Sequence, residues 1–267
     1  MAETPVSVNE VKVEAAPTPP PEKPTLTKFR AVVSGGKRGN SNAVFTTADL
    51  RALVEGAAAF SDVVDFKVSE GGIEVKVLDN ARIALLESKL PKNIFAEFFA
   101  DGEGDIAVDA KSLLAVLRRA KNEKVELKLE DGVLTITIAG VRSIRVRTLD
   151  NSAAEEAPQP KVNHTASAVI DADLFKEALV DARMIKADAV RLVALNGILT
   201  FKAVNETKEA EVRLAPAEGS ASSTYALDYL VKAAKAFDGV VDVKFGTNST
   251  LELANSYARV FIAPRVE

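Results

Sequence analysis

Asp109–Asp150, DAKSLLAVLRRAKNEKVELKLEDGVLTITIAGVRSIRVRTLD, is the stretch from which the rest of the chain can be read. At about 100° per residue, Leu113, Val116, Leu117 and Ala120 fall on one side of a helix, while Lys111, Arg118, Arg119 and Lys121 spread around the other. The helix has a face to bury and a cationic face to offer. After it Val125, Leu127 and Leu129 alternate with charged residues, Glu130-Asp131-Gly132 turns the chain, and Leu134, Ile136 and Ile138 alternate again. That pattern predicts a hairpin of half-buried strands. Gly140 breaks the second strand, and Ile144, Val146 and Thr148 begin a third with arginines between them. The apolar helix face must then lie on the apolar sheet face.

The same unit recurs on both sides. Thr46-Thr47-Ala48-Asp49 caps a helix to Phe60 that buries Leu50, Leu53, Val54, Ala57 and Phe60 and turns Arg51 and Glu55 outward. Strands at Val63 to Val68, Ile73 to Leu78 and Ile83 to Leu90 follow it. Downstream, Asp171 to Ala187 predicts a helix burying Leu174, Ala178, Ala182 and Ile185, with Lys176, Arg183 and Lys186 outward, then strands at Val190 to Leu195, Ile198 to Val204 and Ala210 to Leu214. Last comes a helix over Tyr225 to Phe237 with Lys232 and Lys235 outward, and strands at Val241 to Phe245, Thr250 to Leu253 and Arg259 to Ile262. From helix start to hairpin turn, Thr46 to Ser69, Asp109 to Glu130, Asp171 to Asn196 and Tyr225 to Gly246, the spacing stays between 21 and 25 residues. Self-similarity of this kind is an architectural signature. The expected fold is α+β: four helix-plus-three-strand units in two domains, residues 28–150 and 162–267.

The bulk numbers agree. The chain has 267 residues, 47% apolar and 27% charged, enough for two domains that each bury a core. No run approaches the roughly 18 apolar residues of a membrane helix, and no charged-then-apolar leader is seen, so an intracellular place is expected. Without cysteine there is neither disulfide nor thiolate chemistry. Residues 1–27, with six prolines, read as a disordered tail, and Asn151 to Lys161, NSAAEEAPQPK, as an interdomain connector. Gly35 to Asn42 lacks the spacing of a phosphate-binding loop and reads as an exposed turn. The net charge of −4 argues against a nucleic-acid partner in sum, but the cations gather on the helix faces.

No catalytic motif stands out. His164 is the single histidine, placed just past the connector. Glu155-Glu156 lie on a linker, and Asp171 and Asp173 lie at a helix start, where acids favour the positive end of the dipole. No cofactor or metal is expected.

Several stretches carry a resemblance. Val77-Leu78-Asp79-Asn80-Ala81-Arg82-Ile83-Ala84-Leu85 leads to Leu90-Pro91-Lys92; a helix ends Leu117-Arg118-Arg119-Ala120-Lys121; Gly219-Ser220-Ala221-Ser222-Ser223-Thr224-Tyr225 precedes the last helix; and the chain closes on Phe261-Ile262-Ala263-Pro264-Arg265. In this order and spacing the chain, from residue 28 on, resembles the archaeal sliding DNA clamps, the proliferating cell nuclear antigen family. The resemblance implies a duplicated DNA-clamp fold and a ring of three like or paralogous chains around duplex DNA, without catalysis. Helices would line the hole, and the ring would tether its partners beside their template, at the nucleoid of an archaeal cell.

It implies DNA-binding residues at Arg51, Lys111, Arg118, Arg119, Lys121, Lys176, Arg183, Lys186, Lys232 and Lys235, touching phosphates without reading bases. It implies a clamp loader as partner, and DNA polymerase, flap endonuclease and DNA ligase docking short apolar peptides at Leu78, Ile83, Leu85, Thr250, Phe261, Ile262, Ala263 and Pro264. Here the sequence departs from the family, because Ala153, Ala154, Glu155, Glu156, Ala157 and Pro158 give the connector almost no aliphatic bulk. Ring closure would pair Val141, Ile144 and Val146 with a second-domain edge strand near Ile198, Thr200 and Lys202 of the next chain. Two alternatives stay open: a checkpoint-type clamp subunit, and a β-rich nucleic-acid-processing enzyme.

Overall fold

A computed structural model describes residues 24–36, 45–150 and 160–265. Residues 1–23 of the tail, most of the glycine-bearing loop, and residues 151–159 of the connector lie outside the described residues. The first half runs β1 (Phe29–Val33), α1 (Thr47–Phe60), β2 (Val63–Ser69), β3 (Gly72–Leu78), β4 (Ala84–Pro91), a 3₁₀ turn (Lys92–Ile94), β5 (Glu97–Ala100), β6 (Gly104–Asp109), α2 (Ala110–Ala120), β7 (Val125–Glu130), β8 (Val133–Ile138) and β9 (Arg142–Arg147). The second runs β10 (Ala166–Asp171), α3 (Ala172–Met184), β11 (Ala189–Leu195), β12 (Ile198–Asn205), β13 (Lys208–Gly219), β14 (Ala221–Ala226), α4 (Leu227–Ala234), β15 (Val240–Phe245), β16 (Leu251–Ala254) and β17 (Arg259–Ile262).

The first three helices begin where the chain supplies a side-chain cap, whereas α4 starts after Ala226 without one. The Thr46 hydroxyl accepts from the Asp49 amide, and the Asp49 carboxylate accepts from the Thr46 amide at 2.9 Å, a reciprocal capping box. Asp109 accepts the Ser112 amide at 2.7 Å, and Asp171 accepts the amides of Asp173 and Leu174. The last helix is shorter than its periodicity predicts. Tyr225 and Ala226 belong to β14, where alternation with Ala221 and Ser223 turns Tyr225 fully inward. Its hydroxyl donates to the Ser249 carbonyl at 2.8 Å, and burial pushes its pKa up to about 12.

A strand precedes every helix, so the repeat is strand, helix and three strands. Periodicity missed β6, β10 and β14 because each runs into a helix with no turn residue between them. These leading strands are exchanged. β1 pairs with β7 of the second unit, while β6 pairs with β2 of the first; likewise β10 pairs with β15, and β14 with β11. The exchange gives each half an internal twofold relation and ties its two units together.

The halves join through one ladder. β17 pairs antiparallel with β4, Arg259 opposite Glu87 and Phe261 opposite Leu85, so that a single twelve-stranded sheet runs from β14 to β6. A five-stranded sheet, β5-β1-β7-β8-β9, completes the first half. All four helices pack on the same core as the inward side chains of the sheets, with α1 touching α2 and α4, and α4 touching α3. At the α1–α4 contact, Gly56 has no room for a side chain: a Cβ there would lie 2.5 Å from the Ala236 methyl. Each fully buried Leu or Ile of this core contributes roughly 2 kcal/mol.

Composition placed Pro24 to Thr27 in the disordered tail, but the structure holds them. Leu26 donates its amide to the Glu103 carbonyl at 2.9 Å, and the amides of Thr27 and Lys28 both donate to Asp101 at 2.9 Å. The Thr27 hydroxyl also donates to Asp101 and is the main reason its pKa falls to about 2.

Candidate nucleic-acid interface

The cations named from the sequence lie along the helix row on the side away from the sheets. Lys111, Arg118 and Arg119 project from α2, with Lys121 at its C-terminal cap, and all are exposed. Lys111 reaches Asp62 at 2.8 Å, which raises its pKa, and Arg118 bridges to Glu55 of α1 at 2.7 Å. On α3, Lys176 pairs with Asp238, and Arg183 stands 4.0 Å from Asp228 of α4. Lys232 lies 5.1 Å above the Tyr229 ring. Arg119, Lys121, Lys186 and Lys235 hold no ion pair with another described residue.

Exposed pairs of this kind contribute little to stability, so the cations remain exchangeable toward a stronger anion. Arg51 is the exception. It is half-buried and donates to the Lys121 carbonyl at 2.7 Å, closing the end of α2 instead of facing outward.

The residues named for a peptide pocket separate by sheet face. Ile262 is 0% exposed and belongs to the core beneath the helices, so no docking peptide can reach it. Strand alternation decides this: Ala84, Leu86, Val260 and Ile262 point into the core, and Leu85 and Phe261 point to the opposite face, where they are covered to 4% and 6% exposure. On that outer face Leu78 opposes Leu85 and Leu85 opposes Phe261, an apolar row across the joint between the halves. Ile83 and Pro264 are half-buried nearby, and Ala263 donates its amide to the Ile83 carbonyl at 2.8 Å. The Thr250 hydroxyl donates to the Lys161 carbonyl at 3.1 Å, which ties the connector's end to the sheet.

Asp79 completes this corner, and sequence reasoning gave it no role. Its carboxylate is 5% exposed and accepts the amides of Ala81, Ile83 and Ala84 together with the hydroxyl of Tyr229. Burial pushes its pKa up, but the hydrogen bonds from Ala84, Tyr229, Ala81 and Ile83 outweigh burial and hold it below the usual carboxylate value. The only signal in the sequence was a short acidic turn between two apolar strands.

The open sheet edges also differ from expectation. Ile198, Thr200 and Lys202 sit on β12, which pairs with β11 on one side and β13 on the other and has no free edge. The middle strand of a three-strand meander is paired on both sides. Beside the end strands β5, β6 and β14, a free edge runs along β13, whose Lys208–Leu214 part pairs with β12 alone, and in the first half along β9, which carries Ile144 and Val146 half-buried. Val141, in the turn before β9, is 82% exposed.

Residues 42–151 match the family model described as proliferating cell nuclear antigen, N-terminal domain. The DNA polymerase sliding clamp of Thermofilum pendens is 31% identical over 234 residues, a match covering 80% of this chain and 94% of that protein. The chain belongs to the DNA polymerase sliding clamp family. Solved PCNA structures share the fold: an A. fulgidus PCNA bound to the C-terminal region of FEN-1 (TM-score 0.77, 22% identity, covering 90% of this chain and 99% of that one), and a PCNA2–PCNA3 complex from Sulfolobus tokodaii (TM-score 0.77, 21% identity, 89% and 100%). The protein is a DNA sliding clamp, a processivity factor in replication and not an enzyme. In this chain the helix-borne cations, the apolar row at the joint and the open edges of β9 and β13 are three separate surfaces. Among the described residues no helix is long and apolar enough to cross a membrane.

Proposed function

We propose that three copies of this chain close head to tail into a ring around duplex DNA, with the helix row lining the hole. One observation carries the reading: the β4–β17 joint inside the chain has an unfilled equivalent at each end. β4 and β13 are the last strands of the first and third units, and β17 and β9 are the last strands of the fourth and second. Pairing β13 of one copy with β9 of the next repeats the internal joint, continues the helix row from α3 to the next α2, and covers both of these edges.

Lys111, Arg118, Lys121, Lys176, Arg183, Lys186, Lys232 and Lys235 then face the duplex. Arg51 is committed to α2, and Arg119 occupies the position equivalent to Ala236 at a helix joint. Contacts to phosphates alone give sequence-blind, salt-sensitive binding that permits sliding, while closure of the ring prevents sideways escape. The domains are residues 28–150 and 162–267, linked by 151–161, with Pro24 to Thr27 held against the first.

The outer apolar row of Leu78, Leu85 and Phe261, flanked by Ile83 and Pro264, suits a short apolar peptide of the kind borne by a clamp loader, DNA polymerase, flap endonuclease or DNA ligase. A tethered enzyme re-engages its template at raised effective concentration, at the nucleoid. Fluorescence titration of a labelled duplex at several salt concentrations tests the DNA reading. The plot of log affinity against log salt is expected to be steeply negative and the same for unrelated sequences. Salt-independent or sequence-selective binding would contradict it.

A further inference from the structure

The equivalence of the two joints fixes which residues would meet between copies, and they are of opposite charge. In the first half the ladder Phe66–Val75–Ser88 matches Leu192–Phe201–Val212 in the second, so Leu85 corresponds to Glu209 and Glu87 to Glu211. Likewise Leu127–Ile136–Ile144 matches Val243–Leu253–Val260, so Phe261 corresponds to Arg145 and Arg259 to Ser143. Counting from the helix caps Thr46 and Asp171 puts Asp181 where Gly56 stands, and counting from Asp109 and Ala226 puts Arg119 where Ala236 stands.

Inside the chain the positions equivalent to Arg145, Glu209, Arg119 and Asp181 are apolar or small and closely packed, Phe261 opposing Leu85 and Gly56 meeting Ala236, while Arg259 stands opposite Glu87 beside them. At the free edges, Arg145, Arg147, Arg119 and Glu209 are exposed, Asp181 is half-buried, and none has an ion-pair partner among the described residues. Glu211 already pairs with Lys202 at 2.7 Å, and Arg142 with Glu123. Val180 and Met184, 64% and 70% exposed on α3, leave apolar surface on the same open end.

Resting on the ring reading, we propose that the joint between copies is charge-coded and homotypic. Arg145 pairs with Glu209 of the next copy, and Arg119 with Asp181 of the next copy. The β9–α2 edge is cationic and the β13–α3 edge anionic, so each chain is complementary to itself and the occupant of each edge is a second copy of this chain. Cross-strand and helix-surface ion pairs are exposed to solvent and screened by salt, so ring closure weakens as ionic strength rises, more than the joint inside the chain with its Phe261–Leu85 and Gly56–Ala236 contacts. The charge pattern also selects register, since a shift of one residue along β9 sets Arg145 opposite Lys208 or Ala210 instead.

Light scattering coupled to size exclusion tests this on the full chain, with circular dichroism confirming that each variant folds. The wild-type chain alone is expected to run as a trimer at low salt and to dissociate at high salt. Arg145→Glu and Glu209→Arg should each weaken every joint by roughly five- to tenfold and shift the protein to monomer, and the double variant Arg145→Glu/Glu209→Arg should recover the trimer. A 1:1 mixture of the two single variants should stop at even-numbered species, because no three-membered ring can match all its joints. Wild-type trimers that both single variants still form would overturn the charge code while leaving the ring intact. A wild-type chain that stays monomeric at every salt concentration would overturn homotypic closure itself.

Discussion

The Tyr229 hydroxyl, on α4 of the second half, donates at 2.8 Å to the Asp79 carboxylate on the turn between β3 and β4 of the first. Asp79 in turn gathers three backbone amides of its own turn, so one buried carboxylate locks the β3–β4 turn and binds it to the other half. Burial, reinforced by the bond to Asp79, holds the Tyr229 pKa near 12.

Removing the two partners should therefore cost different amounts. Tyr229→Phe loses one hydrogen bond to a charged acceptor and should cost about 1.5 kcal/mol. Asp79→Ala strands three amides and should cost about 3 kcal/mol. Urea denaturation measures both, and equal losses would contradict the assignment of Asp79 as the centre of the network.

At the other end of the first half, Asp101 pins Thr27 and Lys28. Its folded pKa of about 2 lies below the ordinary carboxylate value near 3.8. A depressed carboxylate contributes its stability above the unfolded value, and the contribution is lost as pH falls through the folded one. Amide exchange at Thr27 and Lys28 should therefore stay protected down to about pH 4 and lose protection toward pH 2, beyond the intrinsic pH dependence of exchange. Asp101→Asn should remove much of that protection already at neutral pH.

The outer row and the core beneath it separate binding from stability. Leu78→Ala, at a half-buried position on the outer face, should leave stability within about 1.5 kcal/mol while weakening a fluorescent apolar clamp-binding peptide roughly tenfold. Ile262→Ala should cost about 3 kcal/mol through its cavity. If Leu78→Ala leaves peptide affinity unchanged, the peptide site lies elsewhere.

Cations without internal ion pairs offer the cleanest test of the helix faces. Lys186→Glu and Lys235→Glu should weaken duplex binding without altering the thermal midpoint. Each lost phosphate contact should reduce the salt slope by about 0.9. A variant with an unchanged slope would remove that residue from the DNA-facing set.

Much of this was legible in the sequence because the physics is local. The Thr46-to-Asp49 capping box and the alternation through Leu127, Leu129, Leu134 and Ile136 each need only a few neighbouring residues to be recognised. What depended on long-range pairing was not legible. The exchange of β1 and β6 between units, the choice of β13 over β12 as the free edge, and the use of Asp79 by Tyr229, 150 positions away, leave no local signature. The burial of Ile262 beside the outward Phe261 follows from strand alternation once the core side of β17 is known, and only the packed helices supply that.

Ring closure around DNA can be measured through the joint itself, because the chain has no cysteine. Ser143→Cys and Glu211→Cys stand opposite one another if copies join as β17 joins β4. The double variant is dissociated in high salt, reassembled with circular duplex by dilution, oxidised, and returned to high salt. A covalent trimer should remain with the intact circle and be released once a single cut linearises it. Release that is equally fast from circular and linear DNA, or cross-linking that yields no closed trimer, would contradict the account.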